Sequence, residues 1–191
     1  RFCLDDMRDE AGTLYRSWRA GARKIPGYID DYAGLAVALL DLYESDFDPH
    51  WLQEAEALTE ALLARFRDPD HGGLCFAAPD ESTLPVRVQP GHDGAVPSGA
   101  SLTAEALLRL AAMKGRSEWR ELAEQLIGQR RDILERAPRA YGNLLLALDF
   151  AVHPTQELVL AADDEAWRRA VHGPWLPHAV LAAVRPGAQG P

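Results

Sequence analysis

Four residues stand where the sequence pattern begins helices and carry groups able to do chemistry. Asp30 and Asp31 open the apolar run Tyr28–Tyr43 (YIDDYAGLAVALLDLY). Asp93 lies in Gly91-His92-Asp93-Gly94, and Ser98 in Pro97-Ser98-Gly99, just ahead of Ser101–Met113 (SLTAEALLRLAAM). Adjacent helical residues point about 100° apart, so Asp30 and Asp31 cannot aim at one spot, and Asp31 is the one expected to face a cavity. Carboxylates supplied by separate elements are what proton transfer and glycosidic chemistry use. The same groups also have a plainer use: a turn Asp, a capping Ser, and an acid at a helix's positive end, where the charge contributes about 0.3–1 kcal/mol. Trp18, Arg19, Tyr28, Tyr32 and Arg87 add flat apolar faces and forked donors. Tyr32, inside the apolar run, is expected to be packed with its hydroxyl satisfied. His71, beside Gly72-Gly73, adds a ring that exchanges a proton near neutral pH.

Other chemistries find no support. His50, His71, His92, His153, His172 and His178 show no HxH or HExxH spacing, so no metal site is expected. GxSxG and GxGxxG are absent, and no phosphate-binding loop or cofactor is expected. Cys3 and Cys75 make no CxxC pair and have no base beside them in sequence, so they predict a reducing compartment and no nucleophilic role.

The elements that must position these groups alternate in kind. Tyr28–Tyr43 is apolar almost all round and must be covered on every side. Trp51–Phe66 carries a single stripe (Trp51, Leu52, Leu58, Leu62, Leu63, Phe66), opened by Asp48-Pro49 as cap and first-turn proline. The pair then repeats: Ser101–Met113 is dense in Leu and Ala, and Glu118–Leu134 is one-faced, with Ser117 as its cap. A third buried-type helix spans Arg139–Val152, with Pro138 at its start. Buried and surface helices in alternation predict an all-α fold, a partial (α/α) toroid whose inner helices are backed by outer ones. A plain four-helix bundle would make every helix amphipathic. Residues 68–99 read as a non-helical insert with a β-hairpin, Leu74–Ala78 and Leu84–Val88, around Pro79-Asp80-Glu81-Ser82. Glu157–Ala161, Asp164–His172 and Ala179–Val184 read as a small βαβ-like appendix. The organisation expected is therefore a toroid part over 1–156 and an appendix with a frayed tail over 157–191.

The 191 residues are 47% hydrophobic and 26% charged, enough to build a core. The net charge of −9 disfavours nucleic acid and anionic membrane as partners. Tyr32–Leu40, bounded by Asp31 and Asp41, falls far short of the roughly 18 apolar residues of a membrane span. A first residue of Arg1 in a polar stretch, with no leader, predicts a piece of a longer cytoplasmic protein.

Several motifs in order go beyond pattern: LYRSWRAG (Leu14–Gly21), IPGYIDDYAGL (Ile25–Leu35), LYESDFDPHWL (Leu42–Leu52), DPDHGGLCF (Asp68–Phe76) and HDGAVPSGAS (His92–Ser101). Over residues 11–184 the chain resembles the later part of a thioredoxin-domain-containing family, the spermatogenesis-associated and bacterial YyaL-like group. The resemblance implies a six-hairpin toroid similar to sugar epimerases and glycosidases, attached in the parent to a thioredoxin-like domain. The cysteine motif of that domain is absent here, and only three inner helices are present. Two readings follow. In the first, the toroid contacts a sugar, with Asp31, Asp30 and Asp93 catalytic and Trp18, Arg19, Tyr28, Tyr32, His71, Arg87 and Ser98 binding, in an isomerase, epimerase or glycoside-hydrolase reaction. In the second, it is a non-catalytic scaffold for the redox domain, and the carboxylates are structural.

Overall fold

The computed structural model describes residues 1–69, 72–78, 88–89, 91–161 and 164–184. In chain order the elements are α1 (Phe2–Asp5), β1 (Tyr15–Arg19), β2 (Ala22–Pro26), α2 (Ile29–Asp46), α3 (Pro49–Phe66), α4 (Gly99–Lys114), α5 (Ser117–Gly128), α6 (Arg131–Arg136), a 3-10 turn (Pro138–Ala140), α7 (Gly142–Val152), β3 (Gln156–Leu160), α8 (Glu165–His172) and β4 (Ala179–Ala183).

Helices α2, α4 and α7 stand side by side, with α3 and α5 packed behind them. This is the expected arc of an (α/α) toroid. Its core is one apolar cluster, in which Ile29, Tyr32, Leu39 and Leu40 of α2 meet Leu58, Leu62 and Phe66 of α3 and Leu107, Leu108 and Leu110 of α4. The outer helices show one stripe each, as their spacing requires: Trp51, Leu52, Ala55, Leu58 and Leu62 in α3, and Trp119, Ala123, Leu126 and Ile127 in α5. Asp48 caps α3 through the His50 N–H at 3.0 Å, with Pro49 in the first turn.

Three local expectations need correction. Glu118–Leu134 is not one helix: it breaks between α5 and α6 at Gly128, a poor helix former, and the break turns Ile133 outward, 42% exposed. Ser117 is the first residue of α5 rather than its cap. The third inner helix begins at Gly142, because Pro138 starts a separate 3-10 turn. Of the expected insert hairpin, most of Leu84–Val88 and its turn lie outside the described residues. Residues 74–78 contribute an isolated bridge, Leu74 to Arg67, and the Phe76 N–H donates to the Val88 carbonyl at 2.7 Å.

The β1–β2 hairpin was not anticipated. Its strands are polar and largely exposed, so no alternation announced them. What closes it is the two-residue turn Ala20-Gly21, both with positive φ (51° and 77°), the conformation whose twist matches paired strands. The hairpin is anchored to the core through Tyr32. Its hydroxyl, fully buried, accepts the Leu14 N–H at 2.8 Å, while its ring packs edge-on against Phe66. Tyr32→Phe is therefore expected to leave that N–H unpaired in the interior and to cost about 1–3 kcal/mol in a denaturant titration. A loss near zero would mean that the hydroxyl is not the anchor.

The appendix forms as expected: β3 and β4 pair in parallel, Gln156 with Ala179 through Leu160 with Ala183, and α8 lies between them in sequence. Its small core joins Leu160 and Leu181 to Phe47, the residue that ends α2. Phe47 takes φ 56°, a left-handed conformation normally left to glycine, and its buried ring occupies that core. Among the described residues, no helix is long and apolar enough to cross a membrane. Cys3 is exposed and Cys75 buried, with no disulfide between them.

Candidate functional site

The inner helices run parallel, since their N-termini are tied to one another by carboxylates. Asp31 accepts the Tyr28 N–H at 2.9 Å and so closes the start of α2, while its other oxygen lies 3.8 Å from Arg16. Asp30 reaches across to α4 and accepts the Gly99 N–H at 2.9 Å. Asp93 binds two helices at once, taking the Ser98 N–H at 2.8 Å with one oxygen and the Asn143 and Leu144 N–H groups of α7 at 2.8 and 3.2 Å with the other. α7 has no cap from its own N-cap side chain, so Asp93 supplies the acceptor that its first N–H groups require, whereas in α2 the Ile29 N–H donates to the Phe76 carbonyl and the Asp31 N–H to the Tyr28 carbonyl.

The electrostatics follow from those bonds. Burial pushes the Asp93 carboxyl up, but hydrogen bonds from Ser98, Ser101, Leu144 and Asn143 outweigh it and hold the group below the usual carboxylate range. For Asp30 burial prevails: its carboxyl is raised, with Asp31 adding to the rise and the Gly99 N–H opposing it.

The expected site residues thus separate into groups. Asp30, Asp93 and Ser98 meet around the start of α4, where Ser98 caps the helix through the Ser101 N–H at 3.2 Å. Tyr28 stacks on Phe76 at 4.5 Å beneath Arg16, beside Asp31. Tyr32 is committed to the core. Trp18 packs edge-on against Phe2 at 5.6 Å, and Arg19 is exposed at the tip of the hairpin. His71 and Arg87 lie outside the described residues.

A second polar constellation lies on the inner face of the arc, lower along the same helices. Arg109 of α4, with a side chain only 12% exposed, reaches Asp41 of α2 at 2.7 Å, Glu44 of α2 at 3.3 Å and Glu105 of its own helix at 3.6 Å. The Asn143 amide of α7 donates to Glu105 at 3.1 Å, so a single network spans all three inner helices. These residues line a cavity of about 360 Å³ that Asp149, Trp175 and Leu176 complete. Trp175 is 86% exposed, so its indole face is open. Burial raises the Glu44 carboxyl, with Arg109 opposing. Four carboxylates, Asp149 included, against one guanidinium leave acceptors in excess, a lining that suits a neutral ligand rich in hydroxyl donors and repels anions.

This face was not read from the sequence. Arg109 and Glu105 sit four apart on α4, a spacing that usually signals a surface ion pair. The available signal was their placement in a helix otherwise apolar all round, where a charged residue must find a partner.

Comparison with known proteins places the chain. No protein-family model matches it. Spermatogenesis-associated protein 20 of mouse is 32% identical over 161 residues, covering 81% of this chain, and the human protein matches to the same extent. An uncharacterized protein of Caenorhabditis elegans is 30% identical over 166 residues, covering 83% of this chain. The chain spans about a fifth of the length of these relatives. Among solved structures, cellobiose 2-epimerase from Spirochaeta thermophila superposes with a TM-score of 0.55 at 25% identity, over 69% of this chain and 35% of the epimerase. Helix order, the parallel inner row and these matches agree: over the stretch it shares with them, the chain belongs to the spermatogenesis-associated protein 20 family and carries part of an epimerase-like (α/α) toroid.

Proposed function

We propose that this segment contributes a carbohydrate-binding surface, and that the sugar contacts the inner face around Arg109 and Trp175 rather than the helix N-termini. The observation that carries this reading is the juxtaposition of an open indole face with the Asp41–Glu44–Arg109–Glu105–Asn143 network in one cavity. Sugar rings present apolar C–H faces to aromatic planes and hydroxyls to fixed carboxylates and guanidinium donors. The volume lies at the lower end of small-molecule sites, about 300–1,000 Å³. The epimerase neighbour supports the sugar class, and cellobiose is the first disaccharide to try. Within the cavity, Glu44 is the group best suited to move a proton, since it is held partly out of water beside a fixed cation.

On this reading Asp30, Asp31 and Asp93 are structural, a role supported by the backbone N–H groups that each accepts. Calorimetric titration with simple mono- and disaccharides tests the proposal. Trp175→Ala is expected to weaken binding about tenfold, equivalent to about 1.4 kcal/mol, without lowering the melting temperature, because the side chain is exposed. Failure of every sugar to bind, or unchanged affinity in the variant, would overturn it. The scaffold reading would then stand ahead, as it has an observation of its own: an apolar groove of about 470 Å³ between α5–α6 and α7, lined by Ile127, Leu134, Leu145, Leu148 and Val152. A thioredoxin-like domain would be its partner.

A further inference from the structure

Where α7 ends and β4 is about to begin, two imidazoles and a carboxylate share one point in space. Asp149 lies in the last turn of α7 and His153 is the extended residue that ends it, while His178 arrives from the segment preceding β4. Asp149 Oδ2 lies 2.7 Å from His178 Nε2, while His153 Nδ1 lies 2.9 Å from the Asp149 backbone carbonyl and 3.2 Å from its Oδ1. The rings are stacked, with centroids 4.4 Å apart and planes 18° from parallel. One ligand atom from each of the three residues falls within 4.8 Å of the others. The side chains are 48%, 50% and 22% exposed for Asp149, His153 and His178, so an ion could enter from solvent and keep water on it.

We propose that Asp149, His153 and His178 form a binding site for a divalent transition metal, with zinc the best match. Two neutral imidazoles and one carboxylate are a donor set that zinc takes in four-coordinate sites, the fourth position being filled by water. Nitrogen and oxygen donors at about 2.0–2.2 Å from the ion must lie roughly 3–3.5 Å apart with the ion near the plane of each ring, so binding requires at least one imidazole to turn out of the stack. Each ring would carry its proton on the nitrogen away from the ion, and His153 Nδ1, if it is the ligand atom, would give up its contact with the Asp149 carbonyl. Bound there, the ion would join the end of α7 to the start of β4, fastening the parallel strand pair to the helical arc. The cluster escaped the sequence reading because its third member is 25 residues beyond His153 and only the fold brings it back. The D-x-x-x-H spacing of Asp149 and His153 was the visible half of the signal.

Asp149 also borders the cavity proposed for the sugar, so the probe is the metal alone, with no sugar present. Calorimetric titration of the chain with Zn²⁺ should show one saturable site. Co²⁺ in its place should give the intense visible absorption of a tetrahedral ion with nitrogen ligands. His153→Ala and His178→Ala should each lower Zn²⁺ affinity by tenfold or more and abolish any rise in melting temperature that Zn²⁺ produces, whereas His50→Ala, remote from the cluster, should change neither. Circular dichroism of each variant without metal separates a lost ligand from a lost fold. Absence of saturable Zn²⁺ binding by the parent chain, or equal affinity in folded His153→Ala and His178→Ala chains, would overturn the proposal.

Discussion

Replacing Gly99 with alanine is expected to lower stability by about 3 kcal/mol, since the added methyl meets tighter contacts there than at any other described glycine. A Cβ at that position would stand 2.6 Å from both Asp30 Oδ1 and Ile29 Cγ2, and 2.9 Å from the Asp30 N. The Asp30 N belongs to the backbone of the first turn of α2 and cannot yield without moving the start of an inner helix, and Asp30 Oδ1 can turn away only by leaving the Gly99 N–H. Such a shift would also stretch the Gly99–Asp30 hydrogen bond that sets the relative height of α2 and α4. At about 2–4 °C per kcal/mol for a chain of this size, the melting temperature should fall by roughly 6–12 °C. Gly94→Ala is the matched control, because its Cβ would meet only the Val96 carbonyl at 4.0 Å, and it should melt close to the parent. Equal melting of Gly99→Ala and the parent would mean that the two inner helices are not in the contact described.

The second large effect is expected at Asp93. Removing its carboxylate in Asp93→Ala strips acceptors from the Ser98 N–H and from two N–H groups of α7, so two helix starts are weakened by one change. The expected cost is about 1.5–3 kcal/mol at neutral pH, in the range of a lost cap and of hydrogen bonds to a charged group, reduced because the side chain is partly open to solvent. Asparagine would not restore it, since an amide offers one acceptor oxygen where two are in use. The dependence on pH has a definite sign. Because the folded-state pKa is lowered, the stabilisation is complete above the ordinary carboxylate range and is lost as pH falls through the depressed value. Urea unfolding at neutral and acid pH should therefore show the gap between parent and Asp93→Ala closing on acidification. Asp30 contributes with the opposite sign, since its raised carboxyl favours the folded state as it takes up a proton. A gap that stays constant with pH would remove Asp93 from the capping role.

How far the sequence reached can be seen in these residues. The alternation of all-round and one-faced helices was legible because a helix covered on several sides is apolar on several sides, as in α2 and α4; α7 has the same composition but leaves Leu146 and Val152 exposed. Asp48 and Ser98 were legible as caps because a cap acts within its own chain segment. Asp30 and Asp93 were legible only as acids near helix starts. That each serves the next inner helix depends on parallel packing, which no local spacing encodes. The inner-face network was hidden for the same reason: Asp41, Glu44, Glu105, Arg109 and Asn143 come from three helices, and only their shared face relates them. The hairpin at Tyr15–Pro26 went unread because its strands bury little and its closure rests on two backbone torsions.

Where a sugar sits on this arc can be read from a map of N–H chemical-shift changes on adding a disaccharide. Binding at the inner face should shift the Trp175 indole N–H, the Asn143 side-chain amide and the Arg109 guanidinium, with Tyr28–Asp31 and Ser98–Gly99 unmoved. Shifts confined to Tyr28–Asp31 and Ser98–Gly99, with Trp175, Asn143 and Arg109 silent, would contradict it and return the site to the helix N-termini.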